Sequence, residues 1–230
     1  MPNESSASSP WAHWEPIDES FLEYTYKSDQ AMYPAPLLTY SRLESWIEAC
    51  PELCVVLRRG HGKGQPQASS AAAAESVLGS IIVVPLLGEY WARLTGEGKS
   101  LRSGTPPDEA TLMREHDVDP EVMFPPRTGA PGGEKPEVGL HVFHIERLPV
   151  STSGGEEDEK WRRVGFTRLA LEEIRGRVAA RFPHWSVMGY SALTVTPEGR
   201  RAFKRSGFSP TYTSSTPEGE TVEMMIRKGP

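Results

Sequence analysis

Cysteine is nearly absent from this sequence: Cys50 and Cys54 are the only two in 230 residues. A bridge between them would close a tiny loop, and no Cys and His spacing makes a zinc framework, so both read as buried thiols of a reducing compartment and no metal is expected. Long apolar runs are missing too. None approaches the roughly 20 residues needed to span a bilayer, and Met1 to Ser6 lacks the basic stretch followed by an apolar core that marks a secretory signal. The expectation is a soluble cytoplasmic protein, the nucleus left open, with no membrane partner. Positive charge is also short. Lys and Arg number 25 against 31 Asp and Glu, a formal charge of −6, which argues against general nucleic-acid binding, whose affinity comes from clustered cations.

What is present suffices for one well-cored domain. Residues 1–19, rich in Ser and Pro, read as a flexible arm, and 20–230 as the domain. Phe21 to Tyr26 reads as a first strand. Tyr40 to Cys50 reads as a helix, with Leu43, Trp46 and Ile47 at helical spacing, Thr39 or Ser41 as its cap and Pro51 as its end. Leu53 to Leu57 is a buried strand. Gly60 to Ala74 is low-complexity Gly, Gln, Ser and Ala, the signature of a disordered loop near 60–75. Ser76 to Leu86 resumes the sheet. Tyr90, Trp91 and Leu94 then occupy a helical turn or two at the start of a long polar insertion near 88–138, broken in its second half by Pro and Gly.

Gly139 to Val150 is the next strand. After an acidic loop, Ala170, Leu171, Ile174, Val178 and Phe182 form the apolar stripe of a helix that Pro183 ends. Val187 to Val195 is a strand, Thr196 and Pro197 open a helix that Gly207 stops, and Thr221 to Lys228 is the last strand. The order of elements is α/β with an antiparallel meander in its middle.

Arg162-Arg163-Val164-Gly165-Phe166-Thr167 places a glycine against a helix start. First-turn N–H groups lack intrahelical acceptors and sit at the positive end of the helix dipole, so the segment suits a phosphate; an ordinary loop with two solvated arginines is the other reading. The spacing resembles the Arg/Gln-x-x-Gly-x-Gly/Ala pyrophosphate loop of the Gcn5-related N-acetyltransferases, with Thr167 where the family prefers Gly or Ala. Read with the strand segment His144 to Val150 before it and Arg200 to Phe208 after it, the resemblance spans roughly residues 20–228.

The resemblance implies a mixed, mostly antiparallel central sheet flanked by helices, acetyl-CoA or another acyl-CoA as cosubstrate, and transfer to a primary amine. The acceptor would be an amine-bearing small molecule, or a protein lysine or N-terminus, and a homodimer is open. Leu148 and Val150 would offer main-chain groups to the pantetheine arm. Arg162, Arg163, Val164, Gly165, Phe166 and Thr167 would hold the pyrophosphate. Thr196 stands at a family Asn position, and Phe203 stands where a Tyr often protonates the departing thiolate, a proton Phe cannot give. Thr167, Thr196 and Phe203 together keep a second reading open, a weakly active or inactive CoA-binding regulatory or assembly module.

Attack on a thioester needs a neutral amine, and neutralising a lysine-like ammonium at pH 7 costs roughly 4–5 kcal/mol. A base is therefore useful. His144 and Glu146, two apart on a strand, share a face; His144 is the first candidate and Glu146 the second, each with a structural role as the alternative. The resemblance further implies that a strand N–H left unpaired by splaying of the sheet meets the developing oxyanion, with Leu148 the candidate because Pro149 has no N–H. His141 and His144, three apart, are expected on opposite faces, which removes them as a metal pair. The cluster His116, Asp117, Asp119 and Glu121 matches no calcium loop and reads as a solvated turn. Tyr90 and Trp91 are candidates for an acceptor pocket, or for core packing.

Overall fold

The computed structural model describes residues 12–32, 38–60, 77–96, 113–130, 132–149, 161, 163–215 and 221–229. Their centre is a seven-stranded sheet of order β1-β2-β3-β4-β5-β7-β6. The strands are β1 (Ala12–Pro16), β2 (Cys54–Arg59), β3 (Val77–Leu87), β4 (Glu137–Arg147), β5 (Ser186–Thr194), β6 (Ser209–Ser215) and β7 (Thr221–Lys228). Every neighbouring pair is antiparallel except β4 and β5. β3 is buried along nearly its whole length, which is why it reads as an unbroken apolar run and not as an alternation.

Two apolar layers cover the sheet. On one face lies α5 (Phe166–Arg181), whose Ala170, Leu171, Ile174 and Val178 pack with Val55, Ile81, Val83, Leu140 and Val142. The opposite face carries α1 (Glu19–Met32), α2 (Tyr40–Ala49) and α3 (Gly88–Thr95), which bring Phe21, Leu22, Leu43, Trp46 and Trp91 onto Val56, Ile82 and Val84, and the short α4 (Pro120–Met123) follows α3 in the chain. Cap chemistry matches the sequence. Thr39 Oγ1 accepts from Arg42 N–H at 3.2 Å, and Thr196 Oγ1 accepts from Gly199 N–H at 3.1 Å to open α6 (Pro197–Arg205). Gly207, at φ 87°, ends α6 in the left-handed region open to glycine.

Three expectations are corrected. Phe21 to Tyr26 is helical, part of α1: Phe21, Leu22 and Thr25 are the buried positions, a helical spacing, and Asp18 caps the start by accepting from Phe21 N–H at 2.9 Å. Residues 12–16, expected in the arm, form the edge strand β1, and Trp14 stacks on Phe166 with centroids 6.0 Å apart. Ser209 to Ser215, read as no element, pairs with β7; its polar Ser and Thr suit an edge, and the register shifts beside Pro210. Of the loop expected near 60–75, residues 61–75 lie outside the described set, as do residues 97–112 of the insertion. Among the described residues no helix is long and apolar enough to cross a membrane, and no group of three or more His, Cys, Asp or Glu could hold a metal ion.

Candidate active site

β4 and β5 run as a parallel pair from Glu137–Ser186 to Val142–Ala192. Beyond that point β4 stays with β3 as far as Arg147, while β5 stays with β7 as far as Thr194. The sheet therefore opens between them, and the strand edges facing the opening have no ladder partner in each other. The N–H of Leu148 does not face it. That group donates to Leu78 C=O at 3.0 Å, which corrects its assignment as the oxyanion donor. Because N–H groups alternate sides along a strand, those of Ile145 and Arg147 are the ones directed toward β5.

A bulge decides what else reaches this region. Ile82 pairs with His144 but Val83 pairs with Val142, which leaves Phe143 as the extra residue on β4. Ile82 and Val84 lie on the α1 and α2 face, so their partners His144 and His141 share that face. The expectation that the two histidines point apart is thereby corrected. Simple alternation fails across an inserted residue. Phe143 anchors the bulge edge-on against Trp46 of α2, centroids 4.8 Å apart.

His144 and Glu146 come together as expected, Nε2 to Oε2 3.6 Å, with side chains 16% and 30% exposed. His144 Nε2 is buried and makes no hydrogen bond among the described residues. Tyr24 of α1 donates to Glu146 Oε1 at 3.2 Å. The neighbouring His144 imidazole holds the Glu146 carboxyl below the usual range, against the effect of burial, with help from Tyr24. On the next turn of α1, burial pushes the Asp29 carboxyl up, opposed by His116 and His144 and reinforced by Glu115. Tyr24 and Asp29 are site residues that a strand reading of this segment conceals. The signal that could have found them is the Asp18 cap followed by apolar residues at helical spacing.

A second set is fully buried. Trp91 Nε1–H donates to Ser191 Oγ at 2.8 Å, Ser191 Oγ lies 2.9 Å from His141 Nδ1, and His141 Nε2 pairs with Glu115. A neutral ring protonated at Nε2 satisfies every member: Nε2–H to the carboxylate, Ser191 O–H to Nδ1, Trp91 N–H to the hydroxyl oxygen. Ser191 has no exposure, so this Ser, His and Glu set braces the fold and offers no nucleophile. Trp91 belongs to the brace. It is 1% exposed and fills the space above Gly139, where a Cβ would sit 1.9 Å from its ring, which corrects its place in an acceptor pocket; Tyr90 packs against the same apolar layer.

At the phosphate-loop segment, Gly165 precedes α5 with no side-chain cap and no acid in the first turn. A Cβ on Gly165 would meet no described residue within 4 Å, so among the described residues the approach to the backbone is open. Phe166 is buried against Gly79 of β3, the partner of Arg147 at the end of β4, and Arg147 reaches the Val164 carbonyl at 3.4 Å. Arg163 is exposed and Thr167 half-buried. Val150 and Arg162 lie outside the described residues. Phe203 is 4% exposed and packs edge-on against Phe208 at 4.9 Å, a core position, while the Thr196 hydroxyl is engaged as the α6 cap.

One parallel pair in an otherwise antiparallel sheet, opening where the next helix begins, decides the architecture. It is the arrangement implied by the resemblance to the Gcn5-related N-acetyltransferases. No protein-family model and no curated protein matches the sequence. Among solved acetyltransferases, a Drosophila melanogaster polyamine N-acetyltransferase that forms N-acetylagmatine is similar at 12% identity, covering 94% of this chain and 99% of that one, with a TM-score of 0.46. A mosquito arylalkylamine N-acetyltransferase-like protein gives 11%, 94%, 99% and 0.46. An aminoglycoside acetyltransferase in complex with coenzyme A and kanamycin gives 12%, 94%, 94% and 0.38. Likeness at this level carries neither substrates nor catalytic residues from those enzymes to this chain.

Proposed function

We propose that the protein is an acyl-CoA-dependent N-acyltransferase, acetyl-CoA its preferred donor, which passes the acyl group to a primary amine by direct attack. The opening of the sheet past Val142 and Ala192, beside the uncapped start of α5, carries this reading. Acetyl-CoA, when bound, supplies an acyl group activated as a thioester. The residues present suit it. The open backbone at Gly165 and the first-turn N–H groups of α5 would take the pyrophosphate, with Arg162, Arg163 and Thr167 as its other expected contacts, and the segment from Ile145 to Leu148, with Val150 as the resemblance implies, would take the pantetheine arm.

On the other side of β4, His144 is the preferred base: its Nε2 is buried without a hydrogen bond, ready for the proton of an arriving ammonium. Glu146, already held in its charged form, is a poor base but stabilises the imidazolium that results. Tyr24 fixes Glu146, and Asp29 and Glu146 favour a cationic acceptor. The N–H groups of Ile145 and Arg147 would stabilise charge on the thioester oxygen. Phe203 has no proton to give, so another group or water would protonate the thiolate, or the thiolate would leave stabilised electrostatically.

Calorimetry with acetyl-CoA and CoA, followed by CoA release against a panel of amines, tests the reading. Saturable binding and turnover are expected. His144→Gln should lower kcat/KM by about 10²-fold or more while CoA affinity stays within twofold. Glu146→Gln should cost less. Folded protein that binds neither ligand would falsify the proposal, and unchanged activity in both variants would remove the assigned bases. Binding without turnover on any amine would favour the second reading, a CoA-binding regulatory or assembly module, which the buried Phe203 and the engaged Thr196 hydroxyl also suit.

A further inference from the structure

A cavity of about 320 Å³ opens between α5, the end of α6 and the end of β7. Arg168, Arg175, Arg205, Arg227 and Lys228 line it, with Glu172 the one carboxylate among its lining residues. Glu172 is engaged by Arg168 at 2.9 Å, and neither Arg175 nor Arg205 makes an ion pair with a described residue. Such a concentration of cations repels itself, and in a chain of net charge −6 it is a local feature and not a reflection of composition.

Arg227 is held in advance. Its guanidinium lies 4.5 Å from the Tyr190 ring centroid and 5.4 Å from that of Phe208, and Nη1 donates to Ser206 C=O at 3.3 Å. That bond also covers a carbonyl at the C-terminal, negative end of α6, which with Glu172 is a feature of the groove that would oppose an anion. A planar, pre-oriented guanidinium with further arginines around it matches the oxygen geometry of phosphate better than a scatter of lysines would.

The groove is separate from the start of α5. Arg175 lies nine residues beyond Phe166, about 14 Å along the helix axis. Arg227 and Lys228 pair with Tyr190 and Gly189, in the first half of β5, whereas the sheet opens beyond Ala192. The geometry points to a second anion site, built for a phosphate group and formed by Arg175, Arg205 and Arg227. The group has two possible sources: the 3′-phosphate of CoA, extended along α5, or a separate phosphorylated small molecule.

The test is calorimetry at low ionic strength with inorganic pyrophosphate, CoA and dephospho-CoA, on the wild type and on Arg175→Gln/Arg205→Gln. Both positions are exposed, so the variant should fold, and circular dichroism checks that it does. The site predicts saturable pyrophosphate binding that weakens at least tenfold in the variant and with added salt. If CoA weakens likewise and dephospho-CoA does not, the 3′-phosphate is the source. If both CoA affinities hold while CoA-saturated protein still binds pyrophosphate through these arginines, the ligand is separate. Pyrophosphate and CoA affinities that stay within twofold of wild type in the variant overturn the proposal, as does a wild type that binds none of the three. Pyrophosphate binding without any CoA binding leaves the site standing and sinks the acyltransferase reading instead.

Discussion

At the scale of single residues, burial decides roles that residue type alone leaves open. Trp91 and Phe203 have the chemistry to border a ligand, and both are locked in the core. His144 and Glu146 share a face because a two-residue step on a strand is safe to read. His141 was not legible in the same way, since the bulge at Phe143 depends on pairing with β3 and leaves no mark in the local sequence. The two thiols were legible. Cys50 and Cys54 are free and each is 1% exposed; burial pushes Cys50 from 9.0 to about 12 and Cys54 well up. Native protein at pH 8 should therefore react with an aromatic disulfide reagent at least about 100-fold more slowly than the urea-unfolded chain, which should release both thiols at once. The linkage has a definite sign. A folded pKa raised above the unfolded one contributes stability below pH 9, and that contribution is lost as the pH climbs toward 12. Cys50→Ala should flatten this part of the stability profile, measured by urea unfolding between pH 8 and pH 11.

At the scale of elements, the sequence resolves α2, α5, α6, β2 to β5 and β7 because each combines a clear period with a cap or breaker. What it hides are the edges and α1. β1 and β6 are short, polar and recognisable only by the strands they pair with. The aromatic run in α1 mimics β-propensity, and tertiary packing overrides it. Asp18 is the residue that fixes the outcome. Its carboxylate accepts from Phe21 N–H and from Ser20 Oγ, and it meets Arg58, which also pairs with Glu15 of β1. One side chain thus caps α1 and neutralises a 9%-exposed arginine beside β1. Asp18→Ala should cost about 1–2 kcal/mol, the upper part of the range for a lost cap, since Glu15 remains for Arg58. Its bonds hold the Asp18 carboxyl below the usual 3.8 despite burial, so this stabilisation is present above the unfolded value and is lost as the pH falls through the folded one. The difference between wild type and variant should shrink in urea melts below pH 4. A constant difference down to pH 2 would mean that the capping carboxylate is not the source.

At the scale of the molecule, the segment near 88–138 is two things, although its composition reads as one polar insertion. Residues 113–130 strap the two faces together. Met113 and Val118 are buried, Trp46 of α2 donates to the Val118 carbonyl at 2.9 Å, and Trp185, after α5, donates to the Pro126 carbonyl at 3.0 Å. Glu115 enters the buried brace through His141, and Glu115 and His116 both act on Asp29 near His144. Residues 97–112 connect points that already touch, for Met113 N–H donates to Arg93 C=O at 3.3 Å. Replacing residues 97–112 with a short Gly-Ser link should therefore leave the thermal midpoint within a few degrees, because loop closure costs little when its ends are held together. Removing 113–130 should abolish cooperative unfolding. If acceptor choice is set at the wall over His144, the first deletion should leave the ranking of amines unchanged and Glu115→Gln should alter it. Should the ranking change with 97–112 alone, selectivity would reside in those residues, and a simultaneous shift in sedimentation would trace it to self-association.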